Sequence, residues 1–258
     1  MKTAFKLILA MSTFLLISIT STGCPPNVCK GCGRINDRAF RFLALNQREK
    51  AREHFLLCLE YDPRYMQCLN GLGIIELQLH QLDKAADYFK KALAVNPNFA
   101  QALVNLGIVY YRKKKIKQAR HLFYSAVRVD PQMRDARYNL ARTLIHLRLW
   151  KKARAHLLRL TIIHPKYSPA HHLLGYVEFE RKNWKQAARH FLRAVQISPN
   201  FLSAHLNLCK ALYMMGQFKV ACFHCKQVLR IDPHNVPGKH AIHYVDVKLK
   251  QLSQRCQK

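Results

Sequence analysis

Prolines stand at Pro63, Pro97, Pro131, Pro165, Pro199 and Pro233, each 34 residues after the last. At about 5% proline usage, five successive coincidences have a chance on the order of one in a million or less. Counting back from each proline divides the chain into units 32–65, 66–99, 100–133, 134–167, 168–201 and 202–235. Within them the eighth position is Ala39, Gly73, Gly107, Ala141, Gly175 and Cys209, and the twentieth is Ala51, Ala85, Ala119, Ala153, Ala187 and Ala221. The twenty-fourth is Phe55, Phe89, Phe123, Leu157, Phe191 and Cys225. Small residues at two fixed places let a pair of helices approach closely, a bulky residue fills the space beside them, and proline ends the second helix. Each unit therefore predicts a helical hairpin. One hairpin cannot bury its own apolar face, so the units must stack into a single continuous core.

These residues resemble the tetratricopeptide repeat. The resemblance implies an all-α fold, a right-handed superhelix (an α-solenoid) of six hairpins with the first helix of each lining the concave side. Residues 236–255 predict one more helix, a solubilising cap: Pro237 suits its first turn, and Ile242, Val245, Leu249 and Leu252 share one stripe. In tetratricopeptide proteins the groove is lined from positions 2, 5, 9, 12 and 13 of each repeat. Carried over, this gives Asn70, Ile74 and Leu77 from the second unit, and Val104, Ile108, Tyr111 and Arg112 from the third. The fourth contributes Tyr138, Arg142 and Ile145, the fifth His172, Tyr176 and Phe179, and the sixth Leu206, Lys210 and Tyr213. Chaperone-binding members hold a terminal carboxylate with lysine and asparagine at positions 5 and 9. Ile74, Ile108 and Tyr176 stand in place of that clamp. An aromatic and aliphatic groove of this kind fits a protein partner, laid in as an extended peptide or an amphipathic helix.

Residues 1–23 differ from the rest. Lys2 and Lys6 precede an uncharged apolar run from Leu7 to Thr20, too short for a spanning helix of about 20 residues, and this reads as an export signal. An uncleaved anchor is the alternative. The run ends in Ser21-Thr22-Gly23-Cys24, which resembles the lipobox of bacterial lipoproteins, with Ser21 where an aliphatic residue is usual. By that resemblance Cys24 becomes the lipidated first residue, holding the protein to a lipid bilayer, and residues 24–31 form a short tether. Pro25, in place of the aspartate of many lipoproteins retained at the inner membrane, points to the periplasmic face of the bacterial outer membrane.

With 43 Lys+Arg against 14 Asp+Glu, the formal charge is 43 − 14 = +29. Basic residues recur at the turn between the two helices of each unit: Lys113, Lys114, Lys115 and Lys117, then Arg148, Lys151 and Lys152, then Arg181, Lys182 and Lys185. They predict a cationic edge suited to anionic lipid, lipopolysaccharide phosphate or an acidic partner. Export argues against nucleic acid. A solvated edge with no ligand is the alternative, since charge by itself governs solubility and encounter rates.

Nine cysteines invite a metal or redox reading. Cys29 and Cys32 precede or open the first unit and Cys222 and Cys225 lie in the last, so they do not combine into one four-thiolate zinc site. In an oxidising compartment Cys29 with Cys32 and Cys58 with Cys68 are the candidate disulfides, while Cys209 and Cys225 read as small buried apolar residues. His171-His172 and His240-x-x-His243 lack a third ligand. No serine-nucleophile elbow, phosphate-binding glycine loop or zinc-protease motif is present, so the sequence predicts neither a cofactor nor an enzyme.

An export signal, a candidate lipidated cysteine and six regular repeats together resemble the pilotin family of type IV pilus biogenesis lipoproteins. Members sit at the outer membrane and help the secretin subunit reach it and assemble into its ring. The resemblance implies a scaffold whose groove captures a secretin segment. The alternative is an envelope adaptor that recruits a protease or a peptidoglycan hydrolase.

Overall fold

A computed structural model describes residues 26–255 of the chain, with side chains over 31–251. The leader and Cys24 lie outside the described residues. All regular structure among these residues is helical, in thirteen helices. They are α1 (Pro26–Ala44), α2 (Arg48–Tyr61), α3 (Met66–Gln78), α4 (Leu82–Val95), α5 (Ala100–Arg112), α6 (Ile116–Val129) and α7 (Arg134–His146). There follow α8 (Trp150–Ile163), α9 (Ser168–Glu180), α10 (Trp184–Ile197), α11 (Leu202–Met214), α12 (Phe218–Ile231) and α13 (Val236–Arg255). Helix α1 begins at Pro26, within the stretch read above as a tether, and so corrects that reading. Its buried Cys32, Asn36 and Ala39 are why the helix extends back: that face packs with α2 and α3 in a core containing Phe55, Cys58, Cys68 and Leu72.

The turns repeat as faithfully as the helices. Within every hairpin the residue at position 15 takes a left-handed backbone: Asn46, His80, Lys114, Arg148, Lys182 and Gly216 have φ between 55° and 74°. The amide that follows bonds back across five residues, as Gln81 N to Glu76 O at 2.9 Å and Leu149 N to Leu144 O at 2.9 Å. This is the Schellman ending, which satisfies the last carbonyls of the first helix while reversing the chain. Between hairpins, Asp62, Asn96, Asp130 and Asp232 each accept the amide two residues on, closing turns around the prolines.

Alternate helices touch along the array, α3 with α5, α5 with α7, α7 with α9 and α9 with α11. No corresponding contact joins α4 with α6, α6 with α8 or α8 with α10 among the described residues. The first helices are thus the tighter, inner layer, and the array curves around them.

Positions 8 and 24 meet in the second to sixth hairpins. A β-carbon on Gly73, Gly107 or Gly175 would stand 2.5, 2.6 or 2.7 Å from the ring of Phe89, Phe123 or Phe191 respectively. In the fourth hairpin Ala141 and Leu157 share that contact as a smaller pair. The sixth closes it covalently, by a Cys209–Cys225 disulfide. This corrects the reading of both as apolar fillers: the contact that holds small against large elsewhere brings two thiols together here. A second disulfide, Cys58–Cys68, joins the first two hairpins where later junctions set Ala92 by Ala102 and Ala126 by Ala136. Cys29's side chain lies outside the described residues.

The first hairpin carries Ala39 rather than glycine at position 8, and Phe55 reaches across to α3 instead. A β-carbon on Gly71 would stand 2.3 Å from its ring, in a place where later units carry Asn105, Asn139 and Asn207. Gly71→Ala is therefore expected to destabilise the array by about 2 kcal/mol, as overpacking does. Denaturant midpoints check it. Adding Phe55→Leu, the residue type found at Leu157, should cost less than the two single changes summed, because it frees the space that alanine needs.

Candidate groove on the concave face

The predicted groove residues divide into four groups. Asn70, Leu77 and Val104 are buried, with 4%, 8% and 3% of their surface exposed, so no partner reaches them. Leu77 and Val104 belong to the core between hairpins, and Asn70 accepts a hydrogen bond at 2.9 Å from the Asn105 amide one repeat on. These three correct the groove assignment: position 5 or 12 faces inward wherever the next first helix packs over it. Ile74 and Ile108 are partly buried against the same core. Arg112 is exposed, and its guanidinium donates to the Leu77 carbonyl at 3.2 Å, tying successive turns together.

The second group forms a cavity of about 630 Å³ spanning α5, α7, α9 and α11. Tyr111, Arg142, Ile145, His172, Tyr176 and Leu206 line it. His146, Arg148, Trp150, Glu180 and Asn207 also line it; His146 and Glu180 occupy position 13, which the pattern names but which was carried over only as Arg112, while Arg148, Trp150 and Asn207 sit at positions 15, 17 and 6, outside the pattern. Trp150 had a signal nonetheless: large apolar residues recur at its place as Leu82, Ile116, Trp184 and Phe218.

Arg142 sets the character of this cavity. Its guanidinium lies 5.3 Å from the Tyr111 ring and 5.7 Å from the Tyr138 ring, and Tyr138 meets Tyr167 edge-on at 5.5 Å. A cation held over two ring faces loses little further freedom on binding and keeps its edge donors available. One of them reaches Asn139 Oδ1 at 3.3 Å. Burial raises the Tyr138 and Tyr176 phenols, and burial with the nearby Tyr138 and Asp135 pushes Tyr167 up to about 12, so all three stay neutral. Across the cavity the Asn207 amide donates to His172 Nε2 at 3.0 Å, and burial holds His172 down at about 4. His172 is thus a neutral acceptor, with no charge near pH 7.

The third group, Phe179, Lys210 and Tyr213, lines a separate cavity of about 620 Å³ with Val236, His240, Tyr244 and Val245 of α13. The cap covers this end of the concave face. Tyr138 stands alone as the fourth, outside both cavities and on the Tyr–Arg stack.

Of the basic edge, Lys114, Lys115, Lys117, Lys151, Lys152, Lys182 and Lys185 are exposed at the turns within hairpins. Lys113 is instead partly buried and paired with Asp83, and Arg181 is paired with Glu178 at 3.1 Å. Glu178 also receives Arg154 at 2.5 Å and Asn183 at 2.7 Å. Burial would raise its carboxyl, but these partners outweigh it and hold the group below its usual range. Among the described residues no three metal-ligating side chains converge, and no helix is long and apolar enough to cross a membrane.

Family models of the tetratricopeptide repeat match residues 37–102, 70–128, 112–175 and 175–216, a run covering most of the chain. The chain is a tetratricopeptide-repeat protein. The comparison with curated proteins finds no match. Solved structures of similar fold include PilF of Pseudomonas aeruginosa, with a TM-score of 0.76 at 15% identity over 83% of this chain and 97% of that one. PilW, described as a widely conserved type IV pilus biogenesis factor, gives 0.73 at 18% identity over 82% and 98%. YrrB, described as a TPR protein with an unusual peptide-binding site, gives 0.61 at 21% identity over 72% and 96%. At these identities the likeness is one of fold. As a tetratricopeptide-repeat array this chain is a scaffold for protein–protein interaction.

Proposed function

We propose that this protein is an exported, non-enzymatic lipoprotein scaffold of type IV pilus biogenesis, anchored at Cys24 in the outer membrane, whose groove binds a secretin segment during assembly of the secretin ring. The observation that carries the reading is the concave cavity of Tyr111, Arg142, Trp150 and Tyr176, open to water and rich in the residue types that anchor protein interfaces. Agreement in fold with PilF and PilW along nearly their whole chains supports the pilus assignment. Two disulfides support an oxidising compartment, and hence export. The exposed lysines at the turns would face anionic headgroups, lipid or lipopolysaccharide, once the N-terminus is tethered.

Mass spectrometry of the mature protein recovered from membranes, with crosslinked partners identified in the same preparation, tests this. Triacylated Cys24 and a crosslinked secretin are expected; an unmodified chain crosslinked to a soluble hydrolase would replace the proposal with the adaptor reading. Changing Tyr111, Tyr138 and Tyr176 together to alanine should weaken partner capture by roughly 10-fold or more, as loss of aromatic anchors does, while helicity is kept. Unchanged capture would remove the groove from the mechanism.

A further inference from the structure

Cations in this chain outnumber carboxylates so heavily that each ion pair marks a choice. Arg52 and Arg154 each reach a buried glutamate on the next repeat, Glu76 at 2.6 Å and Glu178 at 2.5 Å. Lys113 reaches Asp83, and Arg112 is tied to a backbone carbonyl. Arg142 and Arg148, both exposed at the 630 Å³ cavity, have no carboxylate within ion-pair distance among the described residues. The one carboxylate lining the cavity, Glu180, lies near Tyr176 and adds to the rise of its phenol.

Arg142 differs from an ordinary solvated arginine because its guanidinium lies over two tyrosine rings, Tyr111 at 5.3 Å and Tyr138 at 5.7 Å. A guanidinium restrained beside two rings keeps N–H donors free for the two oxygens of a carboxylate. Beside it Ile145, Trp150 and Leu206 offer apolar wall, and His172 stays neutral as an acceptor.

We infer that this cavity binds an acidic peptide segment, placing an aspartate or glutamate carboxylate on the Arg142 guanidinium and a neighbouring apolar side chain against Trp150. This rests on the groove being the partner surface and adds the chemistry it selects. Charge complementarity names the occupant: two exposed, carboxylate-free arginines in a protein of formal charge +29 favour an anionic segment. Arg148 sits at the cavity rim and would chiefly speed encounter, whereas Arg142 would decide between an acid and its neutral isostere.

The test uses the full chain and fluorescence anisotropy with three labelled twelve-residue peptides alternating leucine and phenylalanine with aspartate, asparagine or lysine. The aspartate peptide is expected to bind roughly 10-fold or more tightly than the asparagine peptide, and the lysine peptide most weakly, with a preference that shrinks at high salt. Arg142→Met keeps the length and much of the contact with the tyrosines. It should bring the aspartate and asparagine affinities to within about 2-fold of each other, the aspartate peptide losing more than the asparagine peptide. Arg142→Lys, which keeps charge but loses the planar fork, should fall between. Equal affinities in the unaltered protein, or an undiminished preference in Arg142→Met, overturns the inference and leaves the groove reading standing. Failure of all three peptides to bind overturns both.

Discussion

Lowering the pH from 7 to 4 is expected to destabilise the C-terminal half of the array well before the N-terminal half. In the last three hairpins positions 4 and 23 carry Arg137 with His156, His171 with His190, and His205 with His224. At position 4 each side chain ties down the carbonyl of the preceding inter-repeat proline: Arg137 to Pro131 at 2.5 Å, His171 to Pro165 at 3.1 Å and His205 to Pro199 at 2.8 Å. Since His205 Nε2 donates to a carbonyl, its Nδ1 is an acceptor, and His224 Nδ1 donates to it across 3.2 Å. The match depends on the free lone pair of His205 Nδ1, and a proton on His224 would put an unpaired charge into this buried site.

The sign follows from burial. Desolvation lowers His156, His171 and His190, with Arg137, Arg193, Arg154 and Arg189 as nearby cations, and holds His224 at about 4, where His205 adds to the effect. The unfolded chain takes up these protons near pH 6.5, the folded chain only lower, so stability is full above about 6.5 and is lost as pH falls toward 4. His224 accounts for about 2 kcal/mol, His172, which burial holds as low, for a similar amount, and the other rings for less each. The second and third hairpins hold Leu69 with Tyr88 and Leu103 with Leu122 at these places and lack the effect. Hydrogen exchange at pH 7 and pH 5 should show faster opening of α9 to α12 at pH 5 with α3 to α6 little changed. His205→Leu with His224→Leu, copying the third hairpin, should remove part of the difference, most of it in α11 and α12, while His171, His172 and His190 keep the effect in α9 and α10. Uniform loss of protection along the chain would refute the assignment.

Much of this was legible because a repeat states each contact six times. The 34-residue period and its small-large-small pattern predicted hairpins, and the family models and helices agree. The groove was legible only in part. Position numbers carried from a family give the face of a helix but not the depth at which the next helix crosses it, so Asn70, Leu77 and Val104 looked exposed and are buried. Residues at the turns were invisible for the opposite reason. The pattern follows helix faces, and Arg148 enters the cavity from a left-handed turn residue. The histidine pairs were missed because only near neighbours along the chain, His171-His172 and His240-x-x-His243, stood out, whereas each pair is a rung joining two helices.

The Cys209–Cys225 disulfide was legible and was overlooked: once positions 8 and 24 are known to touch, two cysteines there are neighbours. Breaking it is expected to loosen the last hairpin and the cap together, since this core contains Val245 of α13. A cross-link over 16 residues constrains the unfolded chain by about 3 kcal/mol. Changing Cys209 and Cys225 to alanine also leaves small residues where hairpins elsewhere set phenylalanine, adding a packing loss of about 1–2 kcal/mol. The informative variant is Cys209→Gly with Cys225→Phe, which restores the pair found as Gly175 and Phe191 one repeat earlier. Placed in a Cys58→Ala/Cys68→Ala background, which copies the alanine junctions elsewhere, it should unfold at the same denaturant concentration with or without dithiothreitol. The protein with Cys209 and Cys225 intact in that background should lose its last hairpin first on reduction. A midpoint unmoved by reductant in that protein would mean that the disulfide follows a contact the packing already secures.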